Sequence, residues 1–445
     1  YPYVSRSKIE KINKNRRQNV DFQQKLLLVS KKSSIFAAFL IYKVMIEDIT
    51  VLRQAMANRL RATTTTYHRY LYPTINWENR LIGIRGYRGV GKTTLILQHI
   101  KESFPDKLMV LYASVDNGWF QTHSLYDLAE YHQQHGGTHL FLDEIHHYHG
   151  WQTEIKNIYD DFPTLHIVFT GSSMLHINSQ AGDLSRRLRM YTLQVMSLRE
   201  YIALETGMEL PAYSLEQVLT DSINIASSLS ERLIIQPHFE EYLKHGCYPF
   251  FKEEGDGFEL RLQETIWLVL ERDWPALEDI TFATIQKTKR LLMVLSEAVP
   301  LTPNMTELFA AVETNREGGL RMLYTLEKAG LLALLSRQPH SIGMLRKPDK
   351  IYMGNSNLMS ALTTNSNIGT IRETFFYNQL NSAGHEVTLS AKGDFIVDNQ
   401  YTFEVGGAGK TFKQIRNIEN SFLAVDNTSI GDVHRIPLWL FGFLY

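Results

Sequence analysis

The apolar residues between 81 and 205 follow two alternating patterns. Short continuous apolar runs are typical of strands buried on both faces, and apolar residues at every third or fourth position are typical of amphipathic helices. Strands are predicted at 81–86, 108–113, 139–143, 165–170 and 189–194, and helices at 92–103, 124–134, 150–160 and 197–205. Repeated strand–helix units predict an α/β fold with a parallel sheet, which binds ligands at the carboxyl ends of its strands.

The pattern changes twice in the later part of the chain. Residues 206–280 mostly have the apolar periodicity of helices. Residues 281–350 contain a helix, a turn, a second helix ending at Gly330 and a short strand. This order of elements is typical of a winged helix-turn-helix. A chain of 445 residues has room for several domains. We predict a basic arm at 1–44, a nucleotide-binding core at 45–205, a helical lid at 206–280, a winged-helix-like segment at 281–350 and a small α/β domain at 351–445.

Residues 86–94, between the first predicted strand and helix, form a complete phosphate-loop motif, G-x-x-x-x-G-K-[ST]. The glycines let backbone N–H groups turn toward phosphates, the lysine supplies positive charge to the β- and γ-phosphates, and the threonine hydroxyl can hold Mg²⁺. The N-terminus of the following helix also favours an anion. The motif predicts ATP and Mg²⁺ as ligands, with candidate nucleotide-binding residues Gly86, Gly89, Gly91, Lys92, Thr93 and Thr94.

Carboxylates follow the third predicted strand, at Asp143 and Glu144. An ATPase needs one carboxylate to hold Mg²⁺ and another to orient the attacking water. We assign Asp143, with Thr93, to the metal, and Glu144, with Lys92, to catalysis. The next strand ends at Thr170, whose hydroxyl could sense the γ-phosphate and is a candidate nucleotide-binding group. The alternative for this segment is a helix cap at 172–173.

Several motifs together resemble the prokaryotic AAA+-type ATPases of the archaeal ATPase branch. They are the phosphate loop, L-D-E-I-H at 142–146 with Trp151, and F-T-G-S-S at 169–173. Residues 184–201 are similar to the L-x-G-R and L-x-x-[LF]-S-[FL]-x-E-[FY] elements of that family, with Arg186 in place of the usual glycine. Residues 242–249 are similar to its Y-L-x-x-G-G-[FY]-P element, with Cys247 in place of the second glycine.

The resemblance implies a P-loop NTPase fold with a parallel sheet, a helical lid, a winged helix and a small C-terminal α/β domain. It also implies ATP binding and slow hydrolysis, and it places Arg187 at the family's arginine, which acts as an arginine finger.

The histidines His146, His147 and His149 need a separate explanation. Clustered histidines can bind zinc or nickel, but adjacent spacing without a nearby cysteine is not a recognised ligand pattern. We therefore expect solvated loop histidines.

Three carboxylates in the last hundred residues suggest a second chemistry. Glu373 lies in a predicted helix, and Asp394 and Glu404 lie in neighbouring predicted strands. Such a set could hold a divalent cation for phosphodiester cleavage. The pattern resembles the restriction-endonuclease-like domain fused to these ATPases, whose active form ends in Glu-x-Lys. Here Gly406 takes the lysine position, and Lys410 follows a glycine-rich turn. We expect a loosely held Lys410 and a degenerate domain without nuclease activity.

Charge and cysteine content add a few constraints. Residues 1–44 carry ten Lys/Arg and two Asp/Glu, whereas the whole chain has a formal net charge of −1. Because the first methionine is Met45, we expect the arm to lie upstream of the natural start, to be weakly ordered, and to be dispensable. The single cysteine, Cys247, excludes an intrachain disulfide and fits a reducing cytoplasm. No apolar run approaches the length of a membrane span.

Two functions compete on these observations. The first is an ATPase that couples its nucleotide state to C-terminal domains binding DNA or protein. The second is a nucleotide-gated DNA-binding regulator with little hydrolysis; an ATP-dependent nuclease is a weaker third. Residues 281–350 carry ten Lys/Arg against six Asp/Glu, which would place Arg316 and Arg321 near DNA phosphates. The pattern leaves the oligomeric state open.

Overall fold

A computed structural model describes residues 49–172, 174, 184, 186–300, 302, 304–337, 346–363 and 367–445. The chain divides into two units, Tyr1–Arg61 and Ala62–Tyr445. The described part of the first unit, residues 49–61, is helical and is labelled α1. The predictions for the arm at 1–44 and for Ser173 lie outside the described residues. All elements named below belong to the second unit.

Five parallel strands form the sheet of the core, as the alternating apolar pattern predicts, in the order β2–β3–β4–β1–β5. The four strands other than β5 are almost completely buried, which explains their continuous apolar runs. Because all the strands run the same way, their carboxyl ends meet at one edge. The strands are β1 Leu81–Gly86, β2 Val110–Ser114, β3 His139–Asp143, β4 His166–Ser172 and β5 Arg189–Leu193.

Two of the four core helices begin at a serine cap, whereas the helix Trp151–Asp161 follows Gly150 without a side-chain cap. Ser124 and Ser197 each form a capping box with an acidic residue three positions later, which satisfies orphan N–H groups at the helix start. The helix after the phosphate loop also lacks a side-chain cap, because Gly91 precedes it. The helices are α2 Lys92–Ser103, α3 Leu125–Gln134, α4 Trp151–Asp161 and α5 Leu198–Thr206.

A run of helices follows the core, as the periodicity predicts. Its helices are α6 Leu215–Arg232, α7 Ile235–His245, α8 Phe251–Glu254, α9 Phe258–Leu268, α10 Trp274–Leu277 and α11 Phe282–Ala298. A π-helical turn, Val269–Asp273, joins α9 to α10 and places Asp273 in the interior. Among the described residues, no helix is both long enough and apolar enough to cross a bilayer.

The predicted helix, turn, helix and strand come next. They are α12 Met305–Ala311, α13 Arg316–Lys328 and β6 Leu332–Leu335. β6 pairs antiparallel with β7, Lys350–Met353, so this hairpin reaches slightly beyond the predicted boundary at 350. Arg316 and Arg321 are exposed on α13.

The C-terminal part is a mixed five-stranded sheet in the order β12–β11–β10–β9–β8. Its helix α15 packs along β10, and the final 3₁₀ turn, Leu438–Phe443, lies against α5 of the core. The small α/β domain predicted from the sequence is therefore present. Its elements are α14 Ser356–Leu362, α15 Ile368–Ser382, β8 Val387–Leu389, β9 Phe395–Val397, β10 Tyr401–Gly406, β11 Ser421–Val425 and β12 Arg435–Pro437.

Candidate functional site

The phosphate loop lies between the end of β1 and the start of α2, with Gly86 as the last residue of the strand. Gly89 and Gly91 have φ values of 86° and 97°, in the left-handed region that glycine adopts without steric cost. Since no side chain caps α2, its first N–H groups remain available to an anion. The backbone of the loop thus has the conformation that phosphate binding requires.

Lys92 is held inside this loop. Its side chain is buried, and Nζ donates hydrogen bonds to the carbonyl oxygens of Gly86 at 3.0 Å and Tyr87 at 3.1 Å. The ammonium therefore lies over the concave side of the loop. Thr94 is exposed on the first turn of α2.

Asp143 is the buried carboxylate at the carboxyl end of β3. It accepts hydrogen bonds from Thr93 Oγ1 at 2.8 Å, from Tyr112 Oη at 2.7 Å and from Thr170 Oγ1. Burial and the neighbouring Glu144 raise the pKa of Asp143, and the three hydroxyl donors partly offset that rise. A nearby cation would favour its charged form. The structure thus brings Thr93, Asp143 and Thr170 together, and adds Tyr112, which the sequence did not single out.

Glu144 has a strained backbone. Its φ of 57° places a non-glycine residue in the left-handed region, at a cost of about 1–3 kcal/mol. Its N–H donates to Thr170 Oγ1 at 3.0 Å, which stabilises this turn. The side chain is 21% exposed, and its Oε2 lies 3.4 Å from His146 Nδ1. The strain turns Glu144 off the strand, so that its carboxylate lies beside the phosphate-loop end of the sheet.

The histidines after Glu144 correct one expectation. His149 is exposed, as expected of a loop histidine, but His146 is buried and His147 is partly buried. A 3₁₀ turn, Ile145–His147, directs both imidazoles inward, with ring centroids 4.2 Å apart. Burial and the neighbouring imidazole of His146 lower the pKa of His147. The left-handed Glu144 produces this turn, and no periodicity signalled it.

Asp273 connects the helical region to the phosphate loop and to the histidine turn after β3. It is buried, and its Oδ1 lies 2.8 Å from Arg88 Nη1 and 3.7 Å from the Nε2 atoms of His146 and His147. Burial alone would raise the pKa of Asp273, but the contact with His146 and the charge of Arg88 outweigh it, and the pKa is lowered. The sequence carried no signal for this residue, because it lies far along the chain from the motifs.

Arg187 lies at the amino ends of the strands, whereas the phosphate loop lies at their carboxyl ends. It precedes β5, which begins at Arg189 at the amino end of the sheet, and its Nη2 is 3.1 Å from Asp160 at the end of α4. With about 3.3 Å per strand residue, β5 separates Arg187 from the phosphate-loop edge by more than about 13 Å. The structure therefore does not bring Arg187 to the phosphate loop of its own chain.

A cavity of about 600 Å³ opens beside the start of α2. Arg69 lines it and belongs to a buried ion pair: its Nε lies 2.8 Å from Glu200 Oε1, and Arg69 also donates to the carbonyl oxygens of Val90 and Gln194. Glu200 is the glutamate of the 197–201 element, so this element supports the phosphate loop through Arg69. The cavity is lined by Thr64, Tyr67, Gln98, Gly207, Pro249 and Lys252, among others.

Two later segments touch the phosphate loop directly. The Phe250 ring packs on Gly89, and the Pro249 ring lies near Gly91, so the 242–249 element covers the loop. At Gly330, which ends α13, a Cβ atom would lie only 2.0 Å from the Tyr87 ring. The end of α13 thus approaches the phosphate loop so closely that only glycine fits at this contact.

Two of the three C-terminal carboxylates pair with lysines, and among the described residues the three do not form a group of ligand atoms within 4.8 Å of one another. Lys350 Nζ lies 2.8 Å from Glu373 Oε2, and Lys410 Nζ lies 2.5 Å from Glu404 Oε1. Burial and the charge of Glu373 raise the pKa of Asp394 to about 6. The expectation that Lys410 would be held loosely is wrong: the turn after Gly406 folds back and pairs it with Glu404.

Comparison with known proteins places this geometry in context. Residues 78–202 match the family model described as "AAA domain". The core is a P-loop NTPase fold. The chain is 25% identical over 395 residues to the uncharacterized protein MJ1637 of Methanocaldococcus jannaschii, a match that covers 81% of this chain and 82% of the relative.

Solved structures give only weak overall likenesses. AMPPCP-bound DnaA from Aquifex aeolicus is 14% identical, with a TM-score of 0.25, over 58% of this chain and 84% of that one. A DNA polymerase III γ-subunit-related protein from Thermotoga maritima is 12% identical, with a TM-score of 0.25, over 58% of this chain and 97% of that one.

Proposed function

We propose that this chain is a Mg²⁺-dependent ATPase that couples its nucleotide state to its C-terminal half. The observation that carries the proposal is the 2.8 Å hydrogen bond between Thr93 Oγ1 and Asp143 Oδ2, which joins the phosphate loop to the end of β3. These hard oxygen donors fit Mg²⁺, and Asp143 is buried so that a cation is its natural partner. Bound Mg²⁺ would supply charge neutralisation of the phosphates.

The remaining groups divide the work of hydrolysis. Lys92 would exchange its two backbone carbonyl partners for the β- and γ-phosphates of ATP. Glu144, beside Asp143 and partly exposed, would orient the attacking water and accept its proton. Thr170, which bonds both Asp143 and the Glu144 backbone, would position these carboxylates. The 600 Å³ cavity beside α2 has room for the nucleoside.

Coupling to the C-terminal half is supported by contacts of the phosphate loop itself. Tyr87 packs on Gly330 at the end of α13, and Arg88 pairs with Asp273 in the helical region. A nucleotide that shifts this loop would therefore shift the helix-turn-helix segment, which we propose acts as a winged helix that binds DNA or protein. Arg187 could contact ATP only in a neighbouring copy, so its proposed catalytic role requires an oligomer.

Two substitutions separate binding from chemistry. Lys92→Ala removes the charge that meets the phosphates, and should abolish tight ATP binding in isothermal titration. Glu144→Gln should retain binding but slow hydrolysis by about a hundredfold or more, because an amide cannot accept the proton. Unchanged hydrolysis in Glu144→Gln would favour the alternative, a nucleotide-gated regulator in which slow turnover does not depend on Glu144. Comparing ATPase rates with and without duplex DNA then tests DNA as the partner.

A second candidate function arises from the C-terminal carboxylates. The Glu-x-Lys motif requires a lysine two places after Glu404, where this chain has Gly406. Lys410, which contacts Glu404, supplies a positive charge in its place. It favours metal-dependent phosphodiester cleavage by Glu373, Asp394 and Glu404. Plasmid nicking with Mn²⁺ that disappears in Asp394→Ala and Lys410→Ala, but persists in Lys413→Ala, would support this function. Lys413 is exposed in the same loop and serves as the matched control. An intact plasmid would support the degenerate domain.

A further inference from the structure

Three potential metal ligands converge beside the ATPase site. One ligand atom from each of Glu144, His146 and His147 lies within 4.8 Å of the other two. The left-handed backbone of Glu144 and the 3₁₀ turn after it create this convergence. Neighbouring residues in a regular strand or helix could not direct all three side chains to one point.

One of these ligands has an unused buried nitrogen. His146 is 2% exposed, and its Nε2 has no hydrogen-bond partner among the described residues. Buried polar atoms without partners are rare, because the lost hydration is not replaced. This nitrogen points toward Asp273 Oδ1, at 3.7 Å, and His147 Nε2 is 3.7 Å from the same oxygen. The separation is too long for a hydrogen bond and close to that between two ligands of one metal ion.

The donor set selects the kind of ion. Two imidazoles and one or two carboxylates match zinc, whereas Mg²⁺ prefers oxygen ligands and keeps several waters. The geometry points to a binding site for a divalent transition-metal ion such as Zn²⁺, formed by Glu144, His146 and His147, with Asp273 as a fourth ligand or as the outer partner of the imidazoles. Arg88, paired with Asp273, limits the negative charge of this group of side chains.

An ion can reach this site from outside. A cavity of about 300 Å³ adjoins it and is lined by His146, His149, Trp151, Thr153, Ala276 and Glu278. His149 is exposed at this opening and lies outside the three-ligand cluster. It therefore provides a control histidine on the same loop.

Zinc at this site has a consequence for hydrolysis that rests on the proposed function. A Glu144 carboxylate that coordinates zinc can no longer accept a proton from water. Zinc therefore inhibits ATP hydrolysis without blocking the phosphate loop, and the site makes the ATPase responsive to a transition metal. Since Asp273 also binds Arg88, the ion holds the two loops and the helical region together.

The test titrates ZnCl₂ into the metal-free full-length chain, without nucleotide, by isothermal calorimetry. We expect one zinc ion per chain, binding that excess Mg²⁺ does not displace, and at least about tenfold weaker binding in His147→Ala. His149→Ala should bind zinc like the parent. Co²⁺ should give the visible absorption bands of a low-coordinate nitrogen–oxygen site, and these should be lost in His147→Ala.

Three results would overturn the proposal. They are no zinc binding by the parent chain, a zinc affinity of His147→Ala equal to that of the parent, or a loss of zinc affinity in His149→Ala as large as in His147→Ala. Glu144→Gln is a second variant should His147→Ala fail to fold, and it should also weaken zinc binding. ATP titration of the same preparations keeps the two proposals separate. A chain that binds zinc but not ATP would contradict the ATPase function, and a chain that binds ATP but not zinc would contradict only the metal site.

Discussion

Glu200 shows how much a single buried charge contributes to this core. Its carboxylate binds the Arg69 guanidinium, the Tyr70 N–H at 2.8 Å and the Tyr67 hydroxyl at 3.2 Å. Both members of the Arg69–Glu200 pair are almost fully buried. Loss of one charge would leave the other without compensation in the interior, and the cost of that exceeds the ordinary value of a salt bridge.

Glu200→Gln should therefore lower the free energy of unfolding by about 3–5 kcal/mol. Chemical denaturation measures the change, and Glu205→Gln, an exposed acid on the same helix, is the control. Because Arg69 also binds the Val90 carbonyl, the variant should weaken ATP binding as well. A parent-like denaturation midpoint would show that Arg69 finds another partner.

At the residue scale, site residues that are close together in the sequence could be predicted. Residues that reach the site from distant parts of the sequence could not. The phosphate loop and the Asp143–Glu144 pair were visible because strand, loop and helix follow one another along the chain. Tyr112, Arg69 and Asp273 were not visible, because each contacts the site from another element. The inward turn of His146 depends on one unusual φ, which residue type alone does not predict.

At the scale of elements, the junction of α13 with β6 contains a half-buried acid, Glu327. Burial raises the pKa of Glu327 to about 7, although the Leu334 N–H donates to it at 3.2 Å. The folded pKa lies above the unfolded value of 4.5, so the folded chain binds the proton more tightly. This contribution to stability is complete below pH 4.5 and is lost as the pH rises to about 7.

Glu327→Gln should remove that dependence. We expect the variant to be more stable than the parent near pH 7.5, with a flatter stability profile between pH 4.5 and 7, in denaturation experiments across this range. Glu317→Gln, an exposed acid on the first turn of α13, should keep the parent profile. A parent-like slope in Glu327→Gln would assign the pH dependence to another group.

The elements of the core were predicted well, and their later neighbours less so. The five strands and four helices of the core follow strong apolar patterns, and the structure contains all of them. The π turn that buries Asp273 and the turn that returns Lys410 to Glu404 have no such pattern. Both are positioned by partners distant in sequence, and periodicity carries no information about those.

At the scale of the whole molecule, Asn357 joins the C-terminal half to the segment that covers the phosphate loop. It is fully buried; its Oδ1 accepts from the Cys247 N–H at 2.7 Å, and its Nδ2 donates to the carbonyls of Tyr242 and Leu243 at 3.0 Å each. Residues 248–250, which pack near Gly89 and Gly91 of the phosphate loop, come directly after Cys247 in the chain. This amide therefore links the segment that covers the phosphate loop to the C-terminal domain.

Asn357→Ala would leave the Cys247 N–H buried without an acceptor, and should lower the free energy of unfolding by about 2–3 kcal/mol. Because the released segment includes Pro249 and Phe250, ATP affinity should fall in the same variant, as isothermal titration can measure. Asn381→Ala, an exposed position on α15, should change neither quantity. If Asn357→Ala loses stability but binds ATP like the parent, the amide supports the fold alone, and coupling must pass through Arg88–Asp273 and Tyr87–Gly330 instead.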